Sequence, residues 1–87
     1  MYYVYILALS NHTLYTGSTG EIKRRLSEHQ QGRVNSTKFS SYHKLIHLEM
    51  YLLKSDAQRR EKFFKTTEGK RLLRQQLRDV LQKINNK

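Results

Sequence analysis

Between Tyr2 and Leu9 the chain reads Tyr-Tyr-Val-Tyr-Ile-Leu-Ala-Leu, which places Tyr3, Tyr5, Leu7 and Leu9 on one side of an extended segment and Val4, Ile6 and Ala8 on the other. Apolar groups on both faces predict a central strand rather than an edge strand, with one face lined by tyrosine near its beginning. Ser10-Asn11-His12 is a turn cluster, and residues 13–17 resume the β pattern. If the two segments pair as a hairpin, Tyr5 and Tyr15 come near each other.

The period then changes. Ser18 or Thr19 is expected to cap a helix with Glu21 in its first turn, running to about Gln31 before Gly32 stops it. Ile22 and Leu26, four apart, would pack on the sheet, and Arg25 and His29, also four apart, share the adjacent stripe. Lys23, Arg24 and Glu28 are expected to point toward solvent or a ligand. Residues 32–44 read as a loop, with Arg33, Lys38, His43 and Lys44 among small polar residues and only Val34, Phe39 and Tyr42 as larger non-polar or aromatic groups. It is long for a structural connection, and such loops are often functional.

A third strand is expected over 45–53, beginning near Lys44. Ser55 and Gln58 have the spacing of a capping box, which predicts a helix on which Ala57, Arg60, Glu61 and Phe64 recur at helical spacing. Glu61 then lies on or beside the inward face. Residues 66–69 break the pattern and recap a final helix whose stripe is Leu73, Leu77, Val80, Leu81 and Ile84, with Arg74, Arg78 and Lys83 outside. No internal repeat or linker interrupts this order. It predicts a single α+β domain over residues 1–87, a small and mainly antiparallel three-stranded sheet packed with three helices.

Composition narrows the function. With no cysteine there is neither a disulfide framework nor a thiolate metal site, which suits a reducing compartment. The apolar runs fall far short of the roughly 20 residues a membrane span needs, and the N-terminus lacks a secretory signal, so a cytoplasmic location without a membrane partner is expected. Seventeen Lys and Arg against seven Asp and Glu give a net charge of +10, which favours a polyanion, foremost nucleic acid, as partner.

Tyr3-Val4-Tyr5, Tyr15-Thr16-Gly17, then Arg25 and His29 on the basic helix and Glu61 on a later one occur in the order in which the chain resembles the GIY-YIG nuclease family. It resembles in particular the family's small stand-alone proteins, akin to the nuclease module of the bacterial excinuclease. The two tripeptides stand where the family has its own, Arg25 matches the helix arginine, His29 the group one turn later and Glu61 the metal-binding glutamate. The departures are Tyr3 for the first glycine, Thr16 for the isoleucine, Ser18 where the excinuclease modules carry a lysine, and only Gln75 and Gln76 near where some members carry an asparagine after the glutamate.

The resemblance implies a metal-dependent endonuclease, and the side chains suit that chemistry. Phosphodiester hydrolysis needs a positioned water, a proton acceptor, positive charge on the non-bridging oxygens and help for the leaving oxygen. A single Mg2+ or Mn2+ on Glu61 is adequate when substrate phosphate completes its shell. Arg25 would clamp the scissile phosphate, Tyr5 or Tyr15 would handle the proton, and His29 would hydrogen-bond to phosphate or relay a proton. The sequence does not decide between the tyrosines. Arg24, Arg33, Lys38, Lys44 and Arg59 are candidate nucleic-acid contacts, whereas no pattern separates a nucleic-acid-facing stripe from a solvated exterior on the final helix. DNA is preferred to RNA as substrate, structure-selective or weakly specific cleavage as the activity, and DNA repair or processing as the setting. The rivals are a non-catalytic nucleic-acid-binding module and a nuclease subunit targeted by a protein partner.

Overall fold

A strand that is apolar on both faces needs cover on both, and the computed structural model, which describes residues 1–40 and 43–85, puts Tyr2–Leu9 (β1) at the centre of a three-stranded sheet. Leu14–Thr19 (β2) and His43–Tyr51 (β3) flank it, both antiparallel, in the order β2-β1-β3. Ile22–Gln30 (α1), Lys54–Phe64 (α2), Thr67–Gln76 (α3) and Arg78–Asn85 (α4) complete an α+β fold. Ser41 and Tyr42, which belong to the long loop read from the sequence, lie outside the described residues. Among the described residues no helix is long and apolar enough to cross a membrane.

The two faces of β1 are covered differently. Val4 and Ile6 are fully buried in a core with Ala57 and Phe64 of α2 and Leu73 of α3. The larger of these side chains, Val4, Ile6, Phe64 and Leu73, each contribute roughly 1.5–3 kcal/mol through burial. Gly69 lets α3 close on α2, since a Cβ there would lie 1.8 Å from the Phe63 carbonyl oxygen. On the same side the β3 residue Glu49 accepts from Arg60 Nε at 3.0 Å and from the Tyr51 hydroxyl at 2.7 Å, and lies 2.9 Å from His47 Nε2. Burial works against the Glu49 charge, but these hydrogen bonds outweigh it and hold the carboxyl below its ordinary range. The pairing ties β3 to α2. The opposite face, with Tyr5 and Leu7, receives α1 and the segment that follows it.

The structure corrects several expected boundaries. Ser18 and Thr19 remain in β2, so α1 starts from Glu21 without a side-chain cap, and Thr19 Oγ1 instead accepts from the Glu21 amide at 3.0 Å. Ser55 does not cap α2, which begins two residues earlier than that cap would place it, at Lys54, from an extended Leu53. Thr66 does cap α3, accepting from the Gly69 amide at 3.0 Å. Lys44 belongs to β3 rather than the loop. Four helices stand where three were expected, because the last divides at Leu77. The division turns Val80, Leu81 and Ile84 back so that all three are partly buried, and Asn85 of α4 comes within 2.9 Å of His12 at the hairpin turn.

Candidate active site

Cross-strand register assembles the first half of the site. Tyr5 pairs with Gly17 and Leu7 with Tyr15, so the two tyrosines are diagonal neighbours on one face, with ring centroids 6.1 Å apart. Glycine at 17 is a steric requirement, since a Cβ would fall 2.5 Å from the Tyr5 hydroxyl oxygen. The helix α1 then brings Arg25 and His29, one turn apart, over the same face. The His29 ring lies edge-on to both tyrosines, 5.6 Å from Tyr5 and 4.9 Å from Tyr15.

Tyr5 and His29 are both 0% exposed. The Tyr5 hydroxyl is 2.8 Å from His29 Nε2, and His29 Nδ1 is 2.8 Å from Thr37 Oγ1. Burial, reinforced by the Arg25 charge and by His43, lowers the His29 pKa to about 4, so the ring is neutral at physiological pH. One ring nitrogen therefore donates and the other accepts, and the chain Thr37, His29, Tyr5 has a single proton polarity. Burial also raises the Tyr5 pKa to about 12, against the lowering effect of a hydrogen bond from Arg25. The hydrogen bond to Tyr5, followed by that to Glu28, moves Arg25 further above its ordinary range despite partial burial. Glu28, expected to face solvent or a ligand, accepts from Arg25 Nη1 at 3.1 Å, which fixes the guanidinium while leaving part of it open.

Glu61 reaches the same strand from the other side. Ser18 pairs with Val4, so its side chain shares the face that packs on α2, where its hydroxyl donates to Glu61 Oε1. Lys65 Nζ donates to Glu61 Oε2 at 2.8 Å. Burial opposes the Glu61 charge, yet the bonds from Lys65 and Ser18 prevail and hold the carboxyl below its ordinary range. Four of the expected site residues, Tyr5, Tyr15, Arg25 and His29, thus meet on one face. Glu61 does not join their hydrogen bonds but is anchored one residue along β2 from Gly17. The strand that carries Tyr15 and Ser18, β2, is an edge strand of the sheet.

The donor set fits a hard divalent ion. Glu61 supplies a charged, partly exposed carboxylate beside a hydroxyl oxygen, and Lys65, whose side chain is 56% exposed, is free to move aside. Among the described residues no group of three or more His, Cys, Asp or Glu could hold a metal. A magnesium ion, which takes one or two protein carboxylates and completes its shell with water and phosphate, matches this arrangement better than zinc.

The expected nucleic-acid contacts lie outside this cluster. Arg24, Arg33, Lys38, Lys44 and Arg59 are all exposed; Arg59 pairs with Asp56 at 2.8 Å, and Lys38 covers the Phe39 ring at 5.0 Å. Sequence reasoning missed Thr37, which is 2% exposed, and His43, whose Nε2 lies 2.9 Å from the Thr37 carbonyl oxygen. No local pattern marks either residue. Ser18 stood out as a helix-cap candidate and as a departure from the excinuclease modules, neither of which points to its contact with Glu61, 43 positions away.

Residues 1–75 match the GIY-YIG catalytic domain profile. A UPF0213 protein of Syntrophus aciditrophicus is 48% identical over 63 residues, covering 64% of this chain and 72% of that protein. One of Haloquadratum walsbyi is 36% identical over 84 residues, covering 93% and 94%. The solution NMR structure of a UPF0213 protein from Bacillus halodurans superposes with a TM-score of 0.54 at 30% identity, covering 84% of this chain and 82% of that one. The chain belongs to the GIY-YIG family, which is a nuclease family and so implies nucleic-acid binding.

Proposed function

We propose that the protein is a divalent-metal-dependent endonuclease that hydrolyses phosphodiester bonds in DNA, structure-selective or weakly sequence-specific, and works in DNA repair or processing. The observation that carries this reading is the arrangement about β2, where Tyr15 and Arg25 stand on one face and Glu61 is tied to Ser18 on the other. A phosphodiester crossing the edge of this strand would meet all three.

Arg25, held by Tyr5 and Glu28, would present its remaining donors to the non-bridging oxygens and stabilise the charge that develops there. Between the tyrosines, burial favours Tyr15 as the residue that faces substrate and handles the proton, since Tyr5 is inaccessible and held in its protonated form. Tyr5 is then a positioning residue. Neutral His29 orients it and is in turn oriented by Thr37. Glu61, with Lys65 displaced, would hold Mg2+ or Mn2+, and such an ion supplies positive charge to the phosphate and lowers the pKa of bound water. So small a surface suits targeting by a protein partner.

One observation favours a second reading. Both Glu61 oxygens already have partners, as expected of a non-catalytic nucleic-acid-binding module. Incubation of labelled duplex, nicked, flapped and single-stranded DNA with magnesium, manganese or chelator separates the two. Cleavage that chelator abolishes supports the nuclease; tight binding without cleavage of any substrate supports the module.

A further inference from the structure

The outer edge of β2 opens into a cleft of about 490 Å³ whose walls include Tyr15, Thr16, Ser36, Lys65, Lys70 and Arg74. None of the described residues lining it is acidic. Lys70 and Arg74 are four apart on α3 and face the cleft together, and neither forms an ion pair among the described residues. Arg71 of the same helix lines a different depression, with Glu68 and Gln75. The cations of α3 are therefore divided between two surfaces, and only one adjoins the candidate site.

From this we infer that the cleft between β2 and α3 binds the sugar-phosphate backbone of the substrate strand, with Lys70 and Arg74 contacting phosphates that flank the scissile bond. The inference rests on the nuclease reading above and deepens it. Position supports it, because Tyr15 and Lys65, the partner of Glu61, both line the cleft. A strand lying there would pass both halves of the site. Its chemistry supports it as well. Three cations beside an aromatic side chain form the kind of groove that tracks a single nucleic-acid strand. A phosphate in the cleft would also compete with Glu61 for the Lys65 ammonium, exposing Glu61 Oε2 as substrate arrives.

The test measures the affinity of fluorescein-labelled single-stranded DNA against salt concentration in chelator, and cleavage in magnesium separately. The proteins are wild type, Lys70→Ala/Arg74→Ala, and the charge-matched control Arg71→Ala/Lys83→Ala. Each phosphate contact on a single strand contributes about 0.7 to the slope of log affinity against log salt. The cleft variant is expected to bind more weakly with a slope shallower by about 1.4, and the control to keep the wild-type slope. Equal slopes for the cleft variant and wild type overturn the cleft assignment, as does an equal loss in the control. If wild type cleaves, the nuclease reading survives either result. If wild type neither binds nor cleaves, both fall.

Discussion

The hydroxyl of Tyr5 and Nε2 of His29 form a 2.8 Å hydrogen bond from which solvent is excluded, and the Arg25 guanidinium acts on the same tyrosine oxygen. A neutral imidazole is thereby built into the underside of the face that carries Arg25.

Stability should fall on acidification through this group. His29 titrates near 6.5 when unfolded and at about 4 when folded, so between these values the unfolded chain binds a proton that the folded chain does not. The contribution is fully present above pH 6.5 and is lost as pH falls toward 4. Its size is on the order of 3 kcal/mol. Following the His29 ring protons by NMR should give a midpoint near the lower value; titration close to 6.5 would show that the buried bond is not maintained in solution.

Gly17→Ala should destabilise the fold although only a methyl group is added. The new Cβ would sit 2.5 Å from the Tyr5 oxygen and 2.6 Å from its ring carbon, and Tyr5 has no room to yield. Overpacking of this kind costs about 1–3 kcal/mol, or a drop in Tm of at least about 4 °C in a domain of this size. Differential scanning calorimetry checks it, and an unchanged Tm would contradict the close packing of β2 on Tyr5.

The two tyrosines should separate in function. Tyr15→Phe is expected to lower single-turnover cleavage by about 10²–10⁴-fold with little change in Tm, the range associated with a positioned proton handler. Tyr5→Phe removes a buried partner of His29 and should lower stability by about 1–3 kcal/mol. Parallel measurements of rate and Tm on both variants test the division, which fails if Tyr5→Phe abolishes cleavage while Tyr15→Phe leaves it intact.

Thr37→Val keeps the shape of the side chain but takes away the partner of His29 Nδ1. A loss of about 1–3 kcal/mol is expected, with recovery in Thr37→Ser. Equal Tm values for all three proteins would mean that the Thr37 hydroxyl does not hold the ring.

Much of this was legible in the residue pattern, and the limits have physical causes. Alternation along residues 2–9 identified a central strand with a tyrosine face, and the four-residue spacing of Arg25 and His29 put both over it, because these follow from local periodicity. Thr37 escaped notice because it lies among turns, where no period links a side chain to its partner. The bond from Ser18 to Glu61 depends on how α2 docks against the sheet, which no short window encodes. The break at Leu77 has no glycine or proline to announce it; it arises where the chain bends to return α4 toward the hairpin turn.

The central claim is that Glu61, though outside the tyrosine and arginine cluster, belongs to the same catalytic site. Single-turnover cleavage of the preferred DNA by wild type and Glu61→Gln, at saturating magnesium and with binding measured alongside, tests it most directly. The substitution keeps the size of the side chain and an oxygen that can accept from Ser18, but it removes the charge. A rate lower by on the order of 10²–10³-fold with DNA affinity retained is expected. Equal rates for the two proteins would contradict it.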